Sequence, residues 1–195
     1  MNYMRMKTLF SVVIGLLICV HSATAQTKLY STPQTFNENG YSYQCTIGAG
    51  GGIITLSNKD NKYTSKSPTY VAGKERGAKY VCKGMSNVPI SSEDIYSRRA
   101  CYMTLKPIFT QEDRKRLRDE NLYINMIISP QTGKIMEVYF EFDILSLYNT
   151  VPLSTYREIE VELMDKVCFI PSETGRMLDF ILFHWTYHLA SIKYD

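Results

Sequence analysis

Several kinds of chemistry are missing from this chain. No two cysteines stand in C-x-x-C spacing, which argues against a structural zinc site. Beyond residue 25 histidine is reduced to His184 and His188. No serine occupies the centre of G-x-S-x-G, the turn that exposes a hydrolase nucleophile. There is no Pro-rich tract, internal repeat or low-complexity segment. Past the first residues, no apolar run approaches the ~20 residues needed to span a bilayer. An excess of one charge sign is also lacking. The chain has 22 Lys+Arg against 19 Asp+Glu, and two of the bases, Arg5 and Lys7, sit in the leader. What remains is close to neutral, without the basic footprint of a nucleic-acid binder.

The leader, residues 1–25, has the layout of a secretory signal. Arg5 and Lys7 precede an apolar run from Leu9 to Val20, and Ala23-Thr24-Ala25 has the small–x–small pattern cut by signal peptidase. Ile18 before Cys19 is not the small residue that a lipoprotein signal requires. The expectation is an exported chain, periplasmic or extracellular, that starts near Gln26 and carries no transmembrane segment. Export permits disulfides among Cys45, Cys82, Cys101 and Cys168, in three pairings that sequence cannot separate. The alternative is four free thiols, packed as small hydrophobes.

The rest divides into a β-rich part, residues 26–109, and an α+β part, residues 110–195, expected to form one compact unit. In the first, Tyr41–Ile47 and Ile53–Leu56 read as strands, with weaker candidates at Lys28–Tyr30, Tyr70-Val71 and Lys79–Lys83. Gly48-Ala49-Gly50-Gly51-Gly52 lacks a Gly-Lys-Ser/Thr ending and is followed by a strand, so it reads as a hairpin loop rather than a phosphate cradle. Ser91–Asp94 resembles a helix start, and the run onward to Leu105 suits helix or strand. Thr110-Gln111-Glu112-Asp113 opens a second helix with Leu117 as its anchor.

The organising stretch is Leu122–Phe142. Leu122, Ile124, Met126 and Ile128 alternate with polar residues; so do Met136, Val138, Phe140 and Phe142. Ser129-Pro130-Gln131-Thr132-Gly133 joins the two runs, predicting a hairpin with one apolar face. Cover follows after Pro152. Tyr156, Ile159, Leu163 and Val167 recur at helical spacing, and Thr155 with Glu158 has capping-box spacing. A closing strand runs from Met177 to about Leu189, placing Ile181, Phe183, Trp185, Tyr187 and Leu189 on one face. Its length and two partly apolar faces predict a central position. The fold class is α+β: a small antiparallel sheet with a helix on one face, in strand-strand-helix-strand order, plus the β-rich N-terminal part.

This order, with Pro-Gln-Thr-Gly-Lys at the hairpin and Phe169-Ile170-Pro171 and Gly175 before the last strand, resembles the C-terminal domain of TonB. The similarity covers about residues 110–190. TonB itself has a membrane-anchored N-terminus and a Pro-rich spacer, and neither pattern occurs here. Phe36-Asn37-Glu38-Asn39-Gly40-Tyr41-Ser42-Tyr43-Gln44-Cys45 and Leu56-Ser57-Asn58-Lys59-Asp60-Asn61-Lys62-Tyr63 resemble uncharacterised exported proteins of gut anaerobes. Those form a domain-of-unknown-function family, which implies no activity.

Few residues invite chemistry. On a strand His184 and His188 lie roughly 13 Å apart at ~3.4 Å per residue, too far to share an ion. No metal or other cofactor is expected. The bases Arg114, Lys115, Arg116 and Arg118 interleave with acids as on a solvated helix, and Glu137 and Glu141 share an outer strand face. Tyrosine is the one excess, with 15 in the chain. The leading expectation is a non-catalytic exported module that binds an envelope protein, through a free sheet edge accepting a strand. The alternative is a glycan or small-ligand binder using exposed Tyr41, Tyr43 and Trp185 beside His184 and His188. An unrecognised hydrolase, with His184 or His188 against a Ser, Cys or acid in a deep pocket, is the third.

Overall fold

The structure is a computed structural model and describes residues 27–84 and 87–189. The signal-sequence reading, Cys19 included, lies outside these residues. Six strands form one antiparallel sheet: β1 Gln34–Glu38, β2 Tyr41–Ile47, β3 Ile53–Asn58, β4 Asn121–Ile128, β5 Ile135–Asp143 and β6 Ile181–His188. Their spatial order is β1-β2-β3-β5-β4-β6. The N-terminal strands therefore continue the C-terminal ones through the β3–β5 pair. Among the described residues four α-helices accompany the sheet: α1 Ser97–Leu105, α2 Gln111–Arg116, α3 Leu153–Lys166 and the single turn α4 Glu173–Arg176.

The predicted hairpin is β4–β5, and its turn needs Gly133. That residue has φ +72°, and a Cβ there would lie 1.9 Å from the Phe169 carbonyl oxygen. The Phe169 N–H donates to the Gly133 carbonyl at 2.9 Å, so the turn is docked as well as bent. Leu122, Ile124, Met126 and Ile128 are fully buried, as their alternation requires. Met136 is a correction. The pairing register shifts between Ile127 and Ile128, so Ile135 joins Val138, Phe140 and Phe142 in the main core. Met136 falls on the opposite face with Ile127, Tyr139 and Phe180. A bulge of this kind resets the period-2 phase within one strand.

Helix α3 roofs the main face. Tyr156, Ile159, Leu163 and Val167 are all buried, and the Tyr156 ring stacks on Phe142 at 5.7 Å with a 12° interplanar angle. The helix starts two residues before the expected capping box: Pro152 is its N-cap, with no side-chain bond, and Thr155 N–H donates to the Pro152 carbonyl at 3.1 Å. Proline already has the fixed φ that suits a helix start. Helix α2 does form a capping box, between Thr110 and Asp113, with Leu117 fully buried beyond its end.

The chain before the sheet is stapled rather than stranded. Lys28–Tyr30 makes no strand; Tyr30 N–H donates to Asn149 Oδ1 at 2.7 Å and its hydroxyl to the Val151 carbonyl at 2.9 Å. Tyr70 and Lys79 contribute only isolated bridges. The first strand is β1, joined to β2 by Asn39-Gly40 with φ +47° and +82°, the two positive values of a tight hairpin turn. The closing strand β6 pairs with β4 alone among the described residues and forms an edge, where a central place was expected. Its Ile181, Trp185 and Tyr187 face is buried against the helices and loops, while on the other face Tyr63 packs on Phe180 at one end and His184 and Thr186 are exposed.

All four described cysteines are free thiols. They sit on separate elements: Cys45 in β2, Cys101 in α1, Cys82 in a loop and Cys168 beside the β4–β5 turn. Burial pushes the Cys101 thiol up to about 12, with Asp94 adding to the effect. It raises Cys45 as well. The disulfide alternative is not what the chain adopts.

Candidate functional site

Phe183 projects from β6 toward the helix layer, where Phe169 meets it at 5.0 Å between ring centroids and the Arg98 guanidinium stands 5.8 Å above it. These three belong to a groove of about 720 Å³ whose walls are residues 88–98 and 169–174. The walls are laced together. Ser91 N–H donates to the Ile170 carbonyl at 2.8 Å and Ser172 N–H to the Pro89 carbonyl at 3.0 Å. Asp94 holds both sides, accepting from Ser97 N–H at 3.1 Å and Ile170 N–H at 2.8 Å. Gly175 permits this approach, since a Cβ there would lie 2.1 Å from the Pro89 carbonyl oxygen. Around the mouth, Ile95 (67% exposed), Tyr96 (72%), Ile170 and Val88 face solvent. Clustered exposed apolar side chains beside a groove mark an interaction surface.

A second cleft, about 690 Å³, lies where α3 crosses the end of the sheet, and Glu160 is its innermost acid. Although only 2% exposed, this carboxylate accepts from the Tyr43 hydroxyl, from Asn58 Nδ2 at 3.2 Å and from Arg157 at 2.8 Å. Burial, then the neighbouring Glu160 carboxylate, pushes the Tyr43 phenol far above its ordinary value. A phenol held protonated in this way acts as a donor. The cluster ties β2, β3 and α3 to one another.

The residues singled out from sequence separate. Trp185 is 8% exposed, edge-on to Tyr102 at 4.9 Å, and lies in the core. Tyr43 is buried on Glu160. Neither can serve as an exposed platform, because strand alternation turns both toward the helices. Tyr41 is half-buried under the Arg157 guanidinium, 5.7 Å from its ring. His184 and the half-buried His188 lie on the opposite face of β6 from Trp185, and neither lines either cleft. The paired acids Glu137 and Glu141 do share one face of β5, but they have different partners. Glu137 is buried, accepting from the backbone N–H groups of Lys62 and Tyr63, while Glu141 accepts from Asn125 and Thr55. Among the described residues, no three of His, Cys, Asp and Glu gather closely enough to hold a metal. Sequence reasoning missed Glu160, although an acid within the stripe Tyr156-Ile159-Leu163 was a visible cue. It also missed the groove, whose walls lie about 70 to 85 residues apart in the chain.

The family profile that matches residues 26–185 is described as Domain of unknown function (DUF5043). This chain belongs to the DUF5043 family. A crystal structure of a DUF5043 protein from Bacteroides uniformis is 35% identical, covers 83% of this chain and 88% of its own, and superposes with a TM-score of 0.75. No curated protein matches the chain. Membership of DUF5043 thus fixes kinship and fold without assigning an activity. No described helix is long and apolar enough to cross a membrane.

Proposed function

We propose that this DUF5043 protein is an exported, non-catalytic module that binds an extended segment of an envelope protein, adding it as a strand to the outer edge of β6. The observation that carries this reading is the double position of Phe183, a residue of the edge strand and of the groove at once. An edge strand offers a row of unpaired backbone N–H and C=O groups, which an extended peptide satisfies; side-chain pockets beside it supply specificity. Along Ile181–Tyr187 of β6 the residues turn alternately toward β4 and outward, and the groove beside Phe183, with Val88, Ile90 and Phe169 among its walls, receives a side chain of the added strand. The secretory leader, residues 1–25, and the strand-strand-helix-strand order that resembles the TonB C-terminal domain support an envelope partner.

The test is to pan a displayed random-peptide library on the chain from Gln26 onward, then bind the selected peptides to the native protein and to Ile95→Arg. Ile95 is exposed at the groove mouth, so its replacement leaves the core intact. Selected peptides should share an apolar anchor, slow hydrogen exchange of outward-facing β6 amides, and bind the variant about tenfold or more weakly. Peptides that bind both proteins equally and leave β6 exchange unchanged would refute the proposal, as would a library that yields no binder.

A further inference from the structure

The sheet face opposite the helices has an unusual composition. None of the six strands contains a lysine or arginine, although the chain has 22 of them. Protein surfaces ordinarily mix both signs of charge. Strand register lays this face out in rows. One reads Thr46, Thr55, Glu141, Tyr123, Thr186 from β2 to β6; the next reads Gln44, Ser57, Tyr139, Asn125, His184. Apart from Glu141 these are hydroxyls, amides, rings and an imidazole. One end of the face is closed by Tyr63, packed on Phe180 at 4.6 Å. The part around Tyr123 is open, and that ring is 41% exposed.

The polar groups in the centre are held in fixed orientation. Asn125 is 1% exposed. Its Nδ2 donates to Glu141 Oε2 at 2.9 Å, which leaves Oδ1 to face Nδ1 of His184. An amide oxygen only accepts, so His184 Nδ1 carries the proton, and in the neutral ring Nε2 is left as the acceptor. Thr55 Oγ1 closes the row on the other carboxylate oxygen of Glu141 at 3.4 Å. A buried asparagine thus sets the directions of a carboxylate and an imidazole on either side of an exposed tyrosine ring.

We propose that this face is a binding platform for a neutral oligosaccharide, with one pyranose ring stacked on Tyr123 and its hydroxyls hydrogen-bonded by Glu141 and by Nε2 of His184. The charge pattern selects the class. With a carboxylate at its centre and no cation on the strands, the one at its rim being Lys66 over Tyr63 at the closed end, the open part disfavours polyanions such as nucleic acids, sulfated or uronic glycans and anionic lipid headgroups. A neutral polyol is what hydroxyl, amide, carboxylate and imidazole groups can serve, and the apolar face of a sugar ring matches an exposed aromatic side chain. Because the groups project from adjacent strands of one sheet, their spacing is set before the ligand arrives. The platform lies on the other face from the Phe183 groove and stands independently of it.

The experiment is to apply the chain from Gln26 onward to an array of neutral and acidic oligosaccharides, then measure affinities for the best ligand by calorimetry. Variants are Tyr123→Ala, Tyr123→Phe, His184→Ala and the groove variant Ile95→Arg. Binding is expected for neutral glycans. It should fall about tenfold or more in Tyr123→Ala, stay near native in Tyr123→Phe, weaken in His184→Ala and be unchanged in Ile95→Arg. No saccharide bound, binding confined to acidic glycans, or equal affinity for the native chain and Tyr123→Ala would each overturn the proposal.

Discussion

Replacing Glu160 with alanine should destabilise the protein by about 2–5 kcal/mol, and the sum can be built from its partners. Tyr43 is fully buried, so losing the acceptor strands its hydroxyl, at ~1–3 kcal/mol. The Asn58 bond at 3.2 Å contributes about 1 kcal/mol. The Arg157 side chain is 35% exposed and regains water, so its ion pair adds only ~0–1 kcal/mol. The assay is urea unfolding followed by circular dichroism, with Tyr43→Phe and the double variant completing a cycle. Tyr43→Phe should cost less than Glu160→Ala, because the carboxylate keeps Asn58 and Arg157. The coupling energy should fall within ~0.5–3 kcal/mol. At ~2–4 °C per kcal/mol for a chain of this size, Glu160→Ala should melt about 4–20 °C lower. A loss under about 0.5 kcal/mol, or a coupling of zero, would show that the cluster does not fasten α3 to β2 and β3.

Gly133→Ala and Gly51→Ala form a matched pair, since both residues have φ +72° but only Gly133 faces backbone, at 1.9 Å. Gly51→Ala should cost about 1 kcal/mol from the backbone alone and Gly133→Ala about 3 kcal/mol or more; equal losses by thermal melting would refute the docked turn. Titration with a thiol reagent should find Cys82 and Cys168 reactive in the native protein and Cys45 and Cys101 reactive only after unfolding, and fast reaction of all four would contradict their burial. Asp113 is raised by burial but more than offset by hydrogen bonds from Thr110 and Arg116, leaving its carboxyl below the ordinary value. With the folded value depressed, its stabilisation is present above the unfolded value near ~3.9 and is lost as pH falls through the folded one. The acid limb of a stability–pH profile should therefore flatten in Asp113→Asn, and an unchanged limb would refute the capping role.

Much of this fold was legible because its main elements follow a single period. The β4–β5 hairpin, the α3 stripe and the Thr110 cap each depend on residues close in sequence. The Asn39-Gly40 turn was equally local and marks the β1–β2 hairpin, but Gln34–Glu38 is polar and its alternation carries no apolar face. Met136 escaped because a bulge changes phase without changing composition. The edge position of β6 escaped for a different reason: two apolar faces on a strand announce cover, and do not say whether strands or helices provide it. Site residues were the least legible. Tyr43 and Trp185 were chosen as contact-prone types, yet the alternation that defines their strands turns them inward, while Tyr123 and His184, of opposite phase, face out. The Phe183 groove depends on loops far apart in the chain, which no local pattern links.

Hydrogen exchange of the free protein, read amide by amide along Ile181–His188, tests the open edge most directly. If β6 pairs with β4 alone, its amides should alternate, slow where they bond to β4 and fast where they point outward. Uniformly slow exchange along all eight residues would mean that the edge is already covered, and the strand-addition account would fall with it.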